Sequence, residues 1–410
     1  MGRFTASENP DVEESVESHL SRIVEGICER VDPLSVILRG SFGRGEGSVL
    51  AEDSGLTFLS DYEISVVSGS ALHRRILREL SEEATLCLGV KTEITWMRRG
   101  RILNNRSNNL AYTSDLPNIA TYELRHGSQT LYGRDLLAQA PTIEPKNIPL
   151  ESGIRLLVNR MAEALDDAPG ASVDILDRLE AVRRLSKVIL ACGESILLAW
   201  EAYHYSYAER NRRFADLAPG RLSRAIPGAA ELPSLMERAT LMKLQPSSTV
   251  YGEDGARLLA KVIAVADATF RYLVEVDLGV LFGSYVDLPT LFLNHPKVRR
   301  GYSHYRLPPL PIPLDQMLVN AVKYLRQGQC PPWGFFTHPN ITINRVVFAI
   351  VPMLFVNRPG GSESIDGVLR KIRDWLSLVV RLDDRSAEED NEWESLRSAA
   401  LWAWRRFCYD

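Results

Sequence analysis

The stretch VILRGSFGRGEGSV, Val36–Val49, sets four glycines directly behind a short apolar run, and DYEISVV, Asp61–Val67, follows it twelve residues later. A glycine cluster behind a strand lets backbone N–H groups approach a ligand closely, and phosphate is the usual ligand of converging N–H dipoles. Carboxylates beside a phosphate repel it unless a divalent cation lies between them. Asp61 and Glu63 are two apart on an expected strand, so both side chains leave one face while Tyr62 and Ile64 point to the other. Glu93, in VKTEITW, stands on the next expected strand and supplies a third carboxylate. Like charges sharing a face are costly without a counter-charge. Three hard oxygen ligands beside a phosphate-binding turn describe a Mg²⁺ site for phosphoryl or nucleotidyl transfer.

The surrounding chain reads as a small α/β unit. From Asp11 to Val31, the apolar residues Val12, Val16, Leu20, Ile23, Val24 and Ile27 recur at helical spacing. SVILR reads as a buried strand, FLSDYEISVV as a second, SALHRRILRELSEEATLCL as a helix and GVKTEITWM as a third strand. Beyond Pro145 strand signals nearly vanish. Val173–Phe214 is expected as one long helix or two, with Gly193 a possible interruption, and further helices are expected over 252–278, 312–326, 341–356, 365–380 and 389–408. The proline-rich segment His295–Asp315 reads as a linker. The expected architecture is therefore α+β, with three segments at 1–145, 146–294 and 295–410, the last two helical.

Gly40-Ser41, Asp61-Tyr62-Glu63 and Glu93, in that order, resemble the signature of the DNA polymerase β-like nucleotidyltransferase superfamily. The resemblance implies that residues 1–145 form its catalytic domain, a small mixed sheet with flanking helices. It implies that Ser41 and nearby backbone amides hold the β- and γ-phosphates of a nucleoside triphosphate. Gly40, Gly43 and Arg44 belong to that turn, and Lys187 stands on the long helix where members of the family often carry a lysine against the triphosphate. It implies that Asp61 and Glu63 bind one or two Mg²⁺ ions, and that Glu93 binds the metal on the acceptor side and assists deprotonation of the attacking hydroxyl. LYGRDLL, Leu131–Leu137, looks like a segment that often follows the catalytic sheet in members acting on small molecules. Phe42–Ser60 is nineteen residues, longer than the family usually places before its first acid, and is expected to add a loop or small hairpin beside the site.

Other motifs carry blander readings. A Rossmann turn would feed straight into a helix and end the next strand in an acid, whereas these acids lie mid-strand. No Gly-Lys-Ser/Thr is present, which excludes a P-loop. AYHYSYAERNRRF joins Tyr203, Tyr205 and Tyr207 to Arg210, Arg212 and Arg213, either a base-stacking surface or a helix end whose arginines favour the C-terminal dipole. Lys297, Arg299, Arg300 and Arg306 near Tyr302 and Tyr305 read as linker surface, and His126 as a helix-end residue.

The net charge is −4, giving no global attraction to nucleic acid, so a small-molecule acceptor is favoured over RNA. The five cysteines form no Cys-x-x-Cys pair, and Val346–Val356 is too short to span a bilayer. A soluble cytoplasmic enzyme is expected. It would move a nucleoside monophosphate from an NTP to an acceptor hydroxyl or phosphate, with release of pyrophosphate. The alternatives are a catalytically silent nucleotide-binding or interaction protein of the same fold, and an RNA- or protein-directed nucleotidyltransferase.

Overall fold

The computed structural model describes residues 2–7, 9–52, 55–104, 117–166, 175–246, 255–281, 283–295, 321–322, 324–325, 343–358, 366–380, 382 and 392–408. The expected linker after His295, its basic and aromatic patch, and most of the expected helix over 312–326 lie outside these residues.

Helix α1 (Pro10–Arg30) begins where Asn9 accepts a hydrogen bond from the Asp11 amide and Pro10 presets the first turn. The chain then passes through β1 (Ser35–Arg39), the single turn α2 (Gly40–Gly43), β2 (Val49–Glu52), β3 (Gly55–Phe58) and β4 (Tyr62–Val67). It continues through α3 (His73–Leu88), β5 (Thr92–Met97), α4 (Arg99–Asn104), α5 (Ile119–His126) and β6 (Gln129–Gly133). A four-stranded sheet runs in the order β5-β4-β1-β6, with β1 antiparallel to β4 and β6, and β4 parallel to β5. The parallel pair requires a crossover, which α3 supplies.

Strand alternation sorts the side chains. Val36, Leu38, Tyr62, Ile64, Val66, Ile94 and Trp96 join Val12, Val16, Leu20 and Ile23 of α1, and Leu77 and Leu80 of α3, in one core. The opposite face is divided. At one end Ile37, Val67 and Met97 pack with Ile102, Leu124, Leu136 and Leu137, while at the other the ladders pair Arg39 with Glu63 and Glu63 with Glu93.

The expected strand over FLSDYEISVV is two strands, because Phe58 closes β3 and Tyr62 opens β4. Phe42–Ser60 does contain a hairpin, β2 with β3, in the register Val49–Phe58 to Glu52–Gly55. Phe58 packs against His19, Phe42 and Tyr62, so the hairpin is seated on the first core rather than projecting from it.

Among the described residues, every strand lies before Arg134. The remainder is α6 (Leu150–Asp166), α7 (Ile175–Ala199), α8 (Tyr207–Ala225), α9 (Leu232–Leu244), α10 (Gly255–Leu278), α11 (Leu288–Asn294), α12 (Ile343–Val356), α13 (Asp366–Ser377) and α14 (Glu392–Phe407). One apolar core runs through these helices from Ile154 to Cys408, so residues on both sides of 295 share it. Helix α7 continues through Gly193, and the break falls at Trp200–Ser206 instead. A Cβ on Gly193 would lie 2.6 Å from Met236 Sδ, so glycine there admits α9 rather than interrupting α7. Val346–Phe355 is buried along its length, and no helix among the described residues is long and apolar enough to cross a membrane.

A Cβ on Gly43 would stand 2.5 Å from the Leu38 carbonyl oxygen, a backbone atom that cannot rotate aside. Gly43→Ala is therefore expected to destabilise the protein by about 1–3 kcal/mol. Gly69→Ala, whose Cβ would enter open space, should stay within about 0.5 kcal/mol of wild type. Urea denaturation of both variants checks this, and equal midpoints would contradict the packing role of Gly43.

Candidate active site

Glu63 and Glu93 are direct neighbours in the parallel β4–β5 ladder, so their side chains leave the same face of the sheet. Asp61 falls one residue short of β4, and its carboxylate takes Lys91 Nζ at 3.1 Å. Burial opposes ionisation of Asp61, but Lys91 and then Lys243 outweigh it and hold the carboxyl below the usual range. Glu63 behaves oppositely. Burial raises its pKa, Asp61 and Glu93 add to the rise, and Arg39 and Arg44 offset only part of it. Glu63 therefore feels both of the other expected acids.

They are not gathered around one point. Among the described residues, no group of three or more His, Cys, Asp or Glu side chains is arranged to hold a metal ion. The expectation of converging carboxylates is corrected accordingly: Asp61 is turned to Lys91, and Glu63 leans toward Arg39 at 3.9 Å.

The Gly40-Ser41 turn stands against this face. Gly40 has φ +66°, and a Cβ there would lie 2.3 Å from Glu63 Oε1, so only glycine lets the turn sit beside the carboxylate. Arg39, the residue before the turn, provides no side-chain cap, leaving the first amides of α2 without an intrahelical acceptor. Ser41 is half-buried beside them.

The next glycines serve packing. Gly43 approaches Leu38, and a Cβ on Gly47 would run into the Phe42 ring at 2.2 Å. Arg44 differs from its expected role at a phosphate: its side chain is buried, with Nη1 3.0 Å from Glu123 Oε2 and its guanidinium over the Tyr207 ring. Glu46 accepts hydrogen bonds from Ser206 Oγ at 2.7 Å and from the Tyr207 and Ala208 amides at 2.9 and 3.1 Å. It thus caps α8 from another part of the chain. The RGEG segment clamps the helical region onto the sheet.

The tyrosine and arginine motif lies on the other side of that clamp. Arg210 is buried, with Nη2 2.6 Å from Glu123 Oε1 and 2.7 Å from the Tyr205 carbonyl, and Nη1 paired with Glu194. Tyr203 is buried and donates to Glu123 Oε1 at 2.8 Å. Arg212, outside this network, pairs with Glu209 and Asp216 on the surface. The packing reading holds for these groups, but the dipole argument does not, because residues 207–213 open α8 instead of closing it. His126 does end α5, with Nε2 3.1 Å from the Ile143 carbonyl oxygen.

Lys243 acts on Asp61 from the helices, and Arg183 and Lys187 act on Lys243. Lys187 is half-buried on α7, 3.5 Å from Glu163 Oε2, and burial followed by the charges of Arg160 and Arg183 lowers its proton affinity against the pull of Glu163. Arg183, one turn before it, donates to the Leu59 carbonyl. Lys243, at the end of α9, places Nζ 3.1 Å from Ser60 Oγ, while its carbonyl accepts from Ser48 Oγ. These contacts fix Leu59-Ser60, the lead-in to Asp61. Lys243 escaped the sequence reading because it is 183 residues from Ser60 and belongs to no motif. The only signal was a lysine in the last turn of α9.

Comparison with protein-family models, curated proteins and solved structures finds no match to this chain. The arrangement itself must carry the chemistry. Asp61 is acted on by Lys243 of α9, Glu63 and Glu93 share the sheet face, and an uncapped glycine turn stands beside Glu63. That distribution suits a polyanion bound together with a cation.

Burial, then Arg44, Arg183 and Lys187, depress the Lys243 ammonium from 10.5 to about 7, with Asp61 acting the other way. Between those values the unfolded chain binds the proton more tightly, so this site's contribution to stability falls as the pH drops from 10.5 toward 7. Relative to wild type, Lys243→Met should be more stable near neutrality than in alkaline solution by roughly 2 kcal/mol or more. Paired urea midpoints at the two pH values measure it. An identical difference at both would show that Lys243 is not held in a proton-repelling site.

Proposed function

We propose that this protein is a metal-dependent nucleotidyltransferase of the DNA polymerase β-like type, acting on a small-molecule acceptor. The observation that carries the reading is the in-register pair Glu63–Glu93 with the Gly40-Ser41 turn seated against Glu63. The order of Gly40-Ser41, Asp61, Glu63 and Glu93 along the chain supports it, as does the facing cationic group of Arg183, Lys187 and Lys243.

Glu63 feels the charges of both Asp61 and Glu93, a repulsion that a hard divalent cation would relieve; to share such a cation, Asp61 would turn from Lys91 toward Glu63. Asp61, Glu63 and Glu93 would hold one or two Mg²⁺ ions, which supply charge neutralisation at the reacting phosphate. The remaining work falls to the chain. Ser41 donates its hydroxyl to a β- or γ-phosphate oxygen, while the open amides of α2 face the same group. Lys187, Lys243 and Arg183 neutralise the β- and γ-phosphates and then the departing pyrophosphate. Glu93 is exposed and accepts the proton of the attacking hydroxyl. The acceptor oxygen forms a bond to the α-phosphorus, the bond from that phosphorus to the bridging α–β oxygen breaks, and pyrophosphate leaves with the electron pair.

Arg44 has no place in this scheme, since Glu123 and Glu46 engage it. Its contribution is to hold the turn and the helices in one frame.

Pyrophosphate release from each NTP, in the presence of Mg²⁺ and a small-molecule cell extract, tests the proposal. Asp61→Asn keeps the side chain's shape and removes its charge. It should lower release at least about a hundredfold, because each 1.36 kcal/mol of lost transition-state stabilisation is tenfold in rate. The melting temperature should hold, since the Lys91 pair it loses is solvent-exposed. Release by wild type that Asp61→Asn matches would refute the assignment. Nucleotide binding without release from any NTP would favour a silent nucleotide-binding protein.

A further inference from the structure

The parallel strands β4 and β5 end at the opposite side of the sheet from the carboxylates. Ladder partners set Ser35, Val67, Met97 and Gly133 in one row there. Glu63 stands earlier on β4, about 13 Å back along the strand. Just past that row the chain exposes Arg98 and Arg99 after β5, and Leu72, Arg74, Arg75 and Arg78 between the end of β4 and the second turn of α3. Arg74 and Arg98 share a contact that brings them together: their guanidinium carbons stand 4.6 and 5.7 Å from the centroid of the Trp96 ring. Arg75 pairs with Glu79 on the surface, while Arg74, Arg78 and Arg99 pair with no carboxylate among the described residues. Two exposed acids of this end, Asp32 before β1 and Asp135 after β6, belong to the other two strands of the sheet. A chain of net charge −4 thus gathers exposed arginines along one edge, where like charges repel unless an anionic surface meets them.

Leu72 decides which anionic surface that is. It is 85% exposed at the end of the loop SGSAL, Ser68–Leu72, directly ahead of the arginines of α3. The loop is fixed by its own bonds, because Ser70 Oγ accepts from the Leu72 amide at 3.2 Å and Ser68 Oγ meets His73 Nδ1 at 2.9 Å. A lone exposed leucine is ordinary. One carried on a fixed loop rimmed by cations suits the boundary of a lipid bilayer, where an apolar side chain enters and arginines engage headgroup phosphate. A nucleic-acid strand would use the arginines alone and would find no stacking platform, since Trp96 is buried against the two guanidinium groups.

We propose that this end of the sheet docks on a membrane surface rich in anionic lipid, with Leu72 inserted and Arg74, Arg75, Arg78, Arg98 and Arg99 against the headgroups. The surface does not depend on the nucleotidyl-transfer reading, and docking leaves the carboxylates at the far end of the strands.

Flotation of the full-length protein at low salt tests it, with vesicles of phosphatidylcholine alone and of phosphatidylcholine mixed with phosphatidylserine. Wild type should float with the mixed vesicles, stay behind with phosphatidylcholine alone, and be released by high salt. Arg74→Gln, Arg98→Gln and Arg99→Gln should each lower partitioning roughly fivefold, as expected for one basic residue near an anionic surface. Leu72→Ser should lower it at least about fivefold. Leu86, 84% exposed near the far end of α3, provides the control, and Leu86→Ser should leave partitioning unchanged. Arg99→Gln and Leu72→Ser change exposed side chains and should keep the wild-type melting temperature, which separates lost docking from lost folding.

Absence of flotation with the mixed vesicles, flotation indifferent to phosphatidylserine, wild-type partitioning in the arginine variants, or equal losses in Leu72→Ser and Leu86→Ser would overturn the surface. So would binding of labelled oligouridylate, without flotation, that Arg98→Gln weakens and Leu72→Ser does not; that result would mark a nucleic-acid surface instead.

Discussion

The buried guanidinium of Arg210 is the contact on which the two halves of the molecule depend. It joins Glu123 of α5 to Glu194 of α7 and donates to the carbonyls of His204 and Tyr205. Burial works against its charge, but Glu194, Tyr203 and Glu123 hold the proton firmly in place. Glu123 then passes the constraint to Arg44, and Glu46 returns it to the start of α8. A buried pair is weak evidence of net stability, yet removing one member leaves an unpaired charge, which typically costs 3–5 kcal/mol. The network therefore works as a registration device. It sets where α7 and α9 stand relative to the sheet, and so where their cations meet the carboxylates.

The Gly-rich stretch consequently does two jobs within ten residues. Gly40 and Ser41 present a turn against Glu63, while Arg44 and Glu46 anchor the helices. Tightness explains the glycines between them: side chains at 43 and 47 would collide with Leu38 and Phe42. The hairpin that lengthens this region is absorbed into the first core through Phe58, which is how Asp61 arrives beside β4 despite the extra chain.

Period-two and helical patterns made β1, β4, β5, α1, α3 and the helical character of the chain beyond Pro145 legible in the sequence, since burial of one face writes itself into residue order. The shared face of Glu63 and Glu93 was legible for the same reason. Three features were not. The strand boundary between Phe58 and Tyr62 was hidden, because Leu59 is as apolar as a strand residue and only its contacts with Ser48 and Arg183 turn the chain. The break after Ala199 was masked by Gly193, whose function is close packing. The partners of Arg44, Arg210 and Lys243 lie 79, 87 and 183 residues away, so no local pattern distinguishes a clamped cation from one open to a phosphate.

What emerges is a sheet face whose carboxylates are addressed by separate cations, Asp61 by Lys91 and Lys243 and Glu63 by Arg39. The measurement that tests this account most directly is label transfer from NTP carrying phosphorus-32 at either the α or the γ position, incubated with the protein, Mg²⁺ and a small-molecule extract. The account predicts that label enters a new small molecule from the α position only, with the γ label recovered in pyrophosphate. Transfer of the γ label to the acceptor would make the protein a kinase and contradict it.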